Sequence, residues 1–204
     1  QDAFAKMGIE GQSFTTVAER RSSCTGSLYC HPTISRHAAD ETACLRYLRV
    51  GLKVLDDLCG DGLDLLGDLL FRLDPADSAR LRDLLVQSQA GYQTRFTNDG
   101  MGVATRRACR GISPVGALAY RLNGRGILEQ VDHLVRHFDA EHGSLVNGLL
   151  RIRDFLLDPR RWTVSFTGSD ASFGRLENAL QEWAGQMPSP AKHTKPVPDR
   201  KSVV

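Results

Sequence analysis

Residues 43–55, ACLRYLRVGLKVL, decide whether the many helical stretches of this chain have a sheet to pack on. Leu45, Tyr47 and Arg49 fall on one side of an alternation, and Cys44, Leu48 and Val50 on the other. The same residues also tolerate a helical reading. Gly51 and the β-branched Val50 and Val54 weigh against it, because glycine and χ1-restricted side chains are poor helix formers. A strand is therefore expected through about Lys53, and with it an α+β chain.

Outward from this strand the pattern is mostly helical. Upstream, SFTTVAERRSSCTGS (13–27) reads as a short helix capped by Ser13, with Phe14, Val17 and Ala18 on its apolar face and Gly26 at its end. Downstream, Leu65, Leu66, Leu69, Leu70 and Leu73 form one stripe over 63–73. A long helix follows over 74–96, opened by Asp74 and Pro75 and carrying Leu81, Leu84 and Leu85 at helical spacing. TNDGMG breaks it. Residues 103–126 read as two short helices parted at Ser113-Pro114, because the residue before proline is pushed out of the helical region. Helices over 127–138 and 142–158 come next. RWTVSFTGSD (161–170) has the clearest strand signal in the chain: Trp162, Val164 and Phe166 alternate with Thr163, Ser165 and Thr167. A last amphipathic helix covers 172–187.

The expected fold is thus helix-rich α+β, with six to eight helices and few strands. Such a sheet is too small to close, and open edges are a liability, which suggests a piece of something larger. The start of the chain without Met suggests the same. Residues 1–187 read as one domain. Residues 188–204, PSPAKHTKPVPDRKSVV, hold four prolines and no apolar period, and read as a linker or tail.

Composition excludes several classes. The chain has 204 residues, 41% of them hydrophobic and 25% charged, as in a globular domain with a real core. A formal net charge of +2, with the arginines scattered among acids, argues against nucleic acid as a partner. No apolar run reaches the 18 or so residues of a membrane span, and the N-terminal residues lack the apolar core of a signal peptide. Five cysteines without a C-x-x-C read as reduced thiols rather than a disulfide framework. The expected location is the cytoplasm or an organelle matrix.

The stretch most suggestive of chemistry is HLVRHFDAEH (133–142). His133 and His137 are one helical turn apart, the spacing of two zinc ligands in H-x-x-E-H peptidases, where the Glu activates the metal-bound water. Here Arg136 stands in the place of that Glu. A guanidinium is no general base, and its fixed charge repels a dication. H-E-x-x-H fails too, since Leu134 follows His133. The apolar stripe of this helix is Ile127, Leu128, Val131, Leu134, Val135 and Phe138. The two histidines lie off it with Gln130 and Arg136, so a solvated face is expected, with Asp139, Glu141 and His142 as the nearby candidates for a further ligand.

Other motifs are weaker. Ser113 in GISPVG does not match G-x-S-x-G. Cys109 has Arg106, Arg107 and Arg110 nearby, a setting that can lower a thiol pKa, but it reads as an ordinary helix residue. GDGLDLLGD lacks the Lys-Ser/Thr of a phosphate loop and the spacing of G-x-G-x-x-G. Asp56, Asp57, Asp61, Asp64 and Asp68 lack the alternation of a calcium loop, and read as an acidic solvated face.

Taken in order, four segments resemble the presequence-protease-like branch of the insulinase (pitrilysin) zinc metallopeptidases: SFTTVAERRSSCTGSLYCHP (13–32), the run from Leu52 to Phe96, the run from Asn98 to Leu134, and WTVSFTGSD (162–170). The resemblance lies in the order and spacing of many weak features, over about residues 5–187. It departs from the family at Gly26-Ser27, where members have Gly-Gly, and at Gly100-Met101, where they have Gly-His. It implies the mixed sheet with packed helices of the LuxS/mitochondrial-processing-peptidase-like metallohydrolases, here without its first strands. Enzymes of this branch close two halves around an unfolded peptide, with zinc in the first domain of the first half. The part matched here begins the second half.

The resemblance thus implies a non-catalytic segment, with no catalytic, cofactor-binding or metal-binding residue of its own. It would form a chamber wall and pack on the catalytic half of the same enzyme, with unfolded peptide as the substrate of the whole. The alternative is a stand-alone interaction module of α+β fold.

Overall fold

The computed structural model describes residues 4, 6–40 and 43–187. It is helix-rich α+β with a single two-stranded antiparallel sheet among the described residues. Helix α1 (Phe14–Cys24) is capped by Ser13, whose hydroxyl accepts from the Thr16 N–H, and it buries Val17 and Cys24. Strands β1 (Ser27–Arg36) and β2 (Cys44–Lys53) pair from Ser27↔Lys53 to Arg36↔Cys44. β2 ends where the sequence predicts. β1 is concealed in the sequence by Pro32 and its Ser/Thr content. A ribbon tolerates that proline because, among the described residues, each strand keeps a free edge.

The register puts Leu28, Leu52, Cys30 and Val50 on one face. Leu28 and Cys30 are buried, and Leu52 packs against the core below them. The other face carries Tyr29, Tyr47 and Leu45, all exposed.

Helix α2 (Cys59–Phe71) supplies the centre of the molecule: Leu65 and Leu69 are 0% and 2% exposed. With Ile9, Val17, Cys24 and Leu28 they form the first of three apolar clusters. The second joins Met7 to Leu81 and Leu84 of α3 (Ser78–Asn98) and to Phe138. The third joins Cys59 and Leu63 to Leu176 and Trp183 of α8 (Asp170–Gln186), with Trp162 and Phe166 packed alongside. Between α3 and α8 run α4 (Gly100–Cys109), α5 (Pro114–Asn123), α6 (Arg125–Arg136) and α7 (Phe138–Leu156). Ser113 caps α5, with Pro114 in its first turn, so the break predicted there is real.

Three expectations need correction. The mixed sheet is absent among the described residues, which hold only the β1–β2 ribbon. Residues 162–167 take no regular secondary structure and belong to no sheet, since no described strand lies beside them. Alternation marks residues suited to a strand, whereas a strand also needs a neighbour. The long helix starts at Ser78 rather than at Asp74: the Asp74 carboxylate accepts from the Ala76 N–H at 2.9 Å and holds a turn, and Asp77 is the cap that accepts from Arg80. The linker expected at 188–204 lies outside the described residues.

Candidate functional site

The histidine stretch lies at the α6–α7 junction. His133 is in the last turn of α6, and His137 is the single residue between the helices, at φ −113° and ψ 26°. Their rings lie close, tilted by 32°, with centroids 4.4 Å apart. The His137 Nδ1–H donates to the His133 carbonyl at 3.0 Å, which leaves its Nε2 as the ring's acceptor. The expected shared face is therefore present, and it is solvated: the His133 side chain is 58% exposed.

The neighbouring acids are engaged elsewhere or held off. Asp139 is ion-paired with Arg82, whose guanidinium also lies 4.7 Å over the Phe138 ring. Glu141 stands 4.0 Å from His133 Nε2. His142 turns inward against Phe138, ring centroids 5.3 Å apart, and its buried Nε2 has no hydrogen-bond partner among the described residues. Arg82, Phe138, Asp139 and His142 line an open depression of about 310 Å³. No group of three or more His, Cys, Asp or Glu among the described residues is placed to hold a metal ion. Arg136, exposed beside the pair, adds a fixed positive charge. The residues present do not fit a hydrolytic zinc centre.

The weaker motifs resolve into structural tasks. The Ser113 hydroxyl accepts from the Gly116 N–H at 3.1 Å and is consumed in capping α5. Near Cys109, the Arg106 guanidinium binds Asp99 at 3.0 Å and Arg110 lies 5.6 Å over the Tyr120 ring, so two of the three expected cations serve other groups. Asp99 caps α4 through the Gly102 N–H. The hydrogen bond from Arg106, then that from Gly102, holds its carboxyl below the usual range. All five cysteines are free thiols, with Cys24, Cys30 and Cys59 buried. Burial pushes the Cys30 thiol up, as it does Cys24, where Asp61 adds to the effect.

In the acidic stretch, Asp68 pairs with Arg20 at 3.0 Å and Arg72 at 3.2 Å, and Asp56 accepts from the buried Ser172 hydroxyl at 2.9 Å. Its glycines serve packing: Gly62 lies under Val54 and Gly67 under Trp183. Sequence reasoning missed this last role, which shows only once α8 is laid against α2.

The serines, acids and glycines that the sequence singles out thus serve in capping, ion pairing and packing. Over residues 1–135 the sequence matches the family of peptidase-associated domains described for subfamily C of the M16 peptidases, and the chain belongs to that family. It is also related to presequence protease: it is 22% identical over 183 residues to presequence protease 1, chloroplastic/mitochondrial, of Arabidopsis thaliana. That match covers 90% of this chain and 17% of the relative, so the chain spans a small part of the curated protein it resembles. No helix among the described residues is long and apolar enough to cross a membrane.

Proposed function

We propose that this chain is a non-catalytic segment of a zinc metallopeptidase that degrades unfolded peptides in a closed chamber. It forms one wall and packs on the catalytic half of the same enzyme, which carries the zinc. The observation that supports this reading most is the match along 90% of the chain to a short part of a presequence protease, in a family named for its association with the peptidase. Arg136 in place of a proton-accepting carboxylate agrees with it. The division of labour follows from physics: a wall contributes by size selection and by excluding bulk water on closure, and needs no reactive group. In that setting the β1–β2 ribbon is one part of a larger mixed sheet. The chloroplastic/mitochondrial label of the relative favours an organelle matrix.

The test is to assay the purified chain alone and mixed with the catalytic half of its parent enzyme. Alone, with or without added zinc, it should cleave no peptide. With the catalytic half it should co-elute and restore chelator-sensitive cleavage. Cleavage by the pure chain, abolished by a chelator and regained with metal, would sink the proposal.

A further inference from the structure

The β1–β2 ribbon has two unlike faces. On one, Leu28 joins Leu65 and Leu69 of α2 in the first apolar cluster. The other is set by the register Ser27↔Lys53, Tyr29↔Gly51, His31↔Arg49, Thr33↔Tyr47 and Ser35↔Leu45. Here Tyr29, Leu45 and Tyr47 are 43%, 46% and 45% exposed. The Tyr29 ring does not stand free. It stacks on His31, with centroids 5.2 Å and planes 18° apart, and leans across onto Gly51, where any Cβ would run into it. Glycine at residue 51 thus gives the ring its seat. A ring held in this way loses little conformational freedom when something binds it.

The charge on this face is of one sign. Arg49 and Lys53 are exposed, and no Asp or Glu stands at any position of the face. Neither of these two side chains has a hydrogen bond or ion pair to a described residue. Elsewhere in the molecule arginines meet acids, as Arg20 meets Asp68 and Arg106 meets Asp99. The face therefore offers unengaged cations beside tyrosine rings, whose hydroxyls also donate to carboxylates.

We propose that this face binds extended, unfolded peptide that presents Asp or Glu side chains alternating with apolar ones. The choice of peptide rests on the reading of the chain as a chamber wall. The charge itself disfavours the rivals. A second copy docked face to face would set Arg49 and Lys53 against their own equivalents. A nucleic acid presents a continuous run of phosphates, which two cations neutralise poorly. Spaced carboxylates need no more than two.

The test uses the whole chain and two fluorescent peptides of equal length built from Ser, Gly and Leu, one with Asp at intervals and one with Asn in the same places. Anisotropy at low salt should show the Asp peptide binding roughly fivefold tighter than the Asn peptide. Added salt should shrink that ratio. Arg49→Glu should cancel the preference, and Tyr47→Ala should weaken both peptides. Val86→Ala, on α3, should change neither. If a ribbon variant fails to fold, the wild-type ratio and its salt dependence decide alone. Equal affinities, or no binding, would overturn the proposal. A single-stranded oligonucleotide that binds tighter than the Asp peptide and is lost in Arg49→Glu would overturn it in favour of nucleic acid. A dimer dispersed by Tyr47→Ala would do so in favour of a second copy. None of these readouts involves cleavage, so each leaves the peptidase reading where it stood. Conversely, an Asp preference in a chain that restores no cleavage to a catalytic half would keep this face as an acidic-peptide site and remove the chamber.

Discussion

The Trp183 indole lies directly on Gly67: a Cβ placed on that glycine would come within 2.7 Å of Nε1 and 3.3 Å of Cε2. Helix α8 approaches α2 this closely only because residue 67 has no side chain. Trp183 is 6% exposed, and its ring cannot swing aside without opening the third cluster. Gly67→Ala gains about 1 kcal/mol of helix propensity, but the overlap costs about 1–3 kcal/mol. Net destabilisation is expected, read as a lower urea midpoint with an unchanged m-value. A raised midpoint would show that α8 does not sit on α2 in this way.

Leu65, with 0% exposure, is the most enclosed large side chain of the first cluster. Leu65→Ala should cost about 2–5 kcal/mol, since the surrounding α1, β1 and α2 side chains refill the void only in part. Val86→Ala, at a position 46% exposed on α3, is the matched control and should shift the midpoint little. Equal losses in chemical denaturation would contradict the placement of the core.

Asp158 titrates far from its ordinary value. The Arg160 guanidinium holds it at 2.9 and 2.8 Å, the Arg160 N–H also donates to it, and Arg161 stands 3.4 Å away. These contacts lower its pKa to about 2. The folded value lies below the unfolded one, so the stabilisation is complete above the ordinary aspartate range and is lost as pH falls towards about 2. Asp158→Asn should therefore flatten the stability profile between about pH 4 and pH 2. Carboxyl NMR titration of the wild type gives the direct check; a midpoint near the ordinary value would refute the pairing.

The paired histidines, His133 and His137, should not carry a resident metal. Purified chain is expected to hold substoichiometric zinc, and His137→Ala should leave that content and the melting temperature nearly unchanged. Stoichiometric zinc that disappears in the variant would reverse the assignment of this face as solvated.

What the sequence reveals by itself is local. Ser13 and Ser113 announce their helices by side-chain chemistry acting over three residues, and Gly51 with its β-branched neighbours points to β2. The order of many such signals is enough to indicate the family. The resemblance, however, also implies a mixed sheet that the described residues do not form. Distant relationships stay hidden. β1 is a strand because β2 lies beside it, with Thr33 opposite Tyr47, and nothing inside a segment containing Pro32 says so. The stretch from Trp162 to Thr167 shows the converse: strong strand chemistry with no described strand next to it. Asp74 and Asp77 are equally good caps by type, and only the turn that Asp74 makes with Ala76 tells them apart. At the candidate site, Arg136 and Leu134, standing where the two histidine motifs would place a glutamate, argue against hydrolysis from the sequence. The capture of Asp139 by Arg82 depends on the approach of α3 and α7, which no local pattern encodes.

Met7 and Ile9, two positions apart, are 1% and 3% exposed, yet they belong to different apolar clusters. Between them the Gly8 carbonyl accepts from the Asp74 N–H at 3.2 Å. This short stretch therefore works as a rivet through two plates, and anyone trimming the molecule for expression should cut ahead of Met7. A boundary drawn at Ser13, where the first long helix invites it, would leave two sockets empty and unfasten α2 from α3.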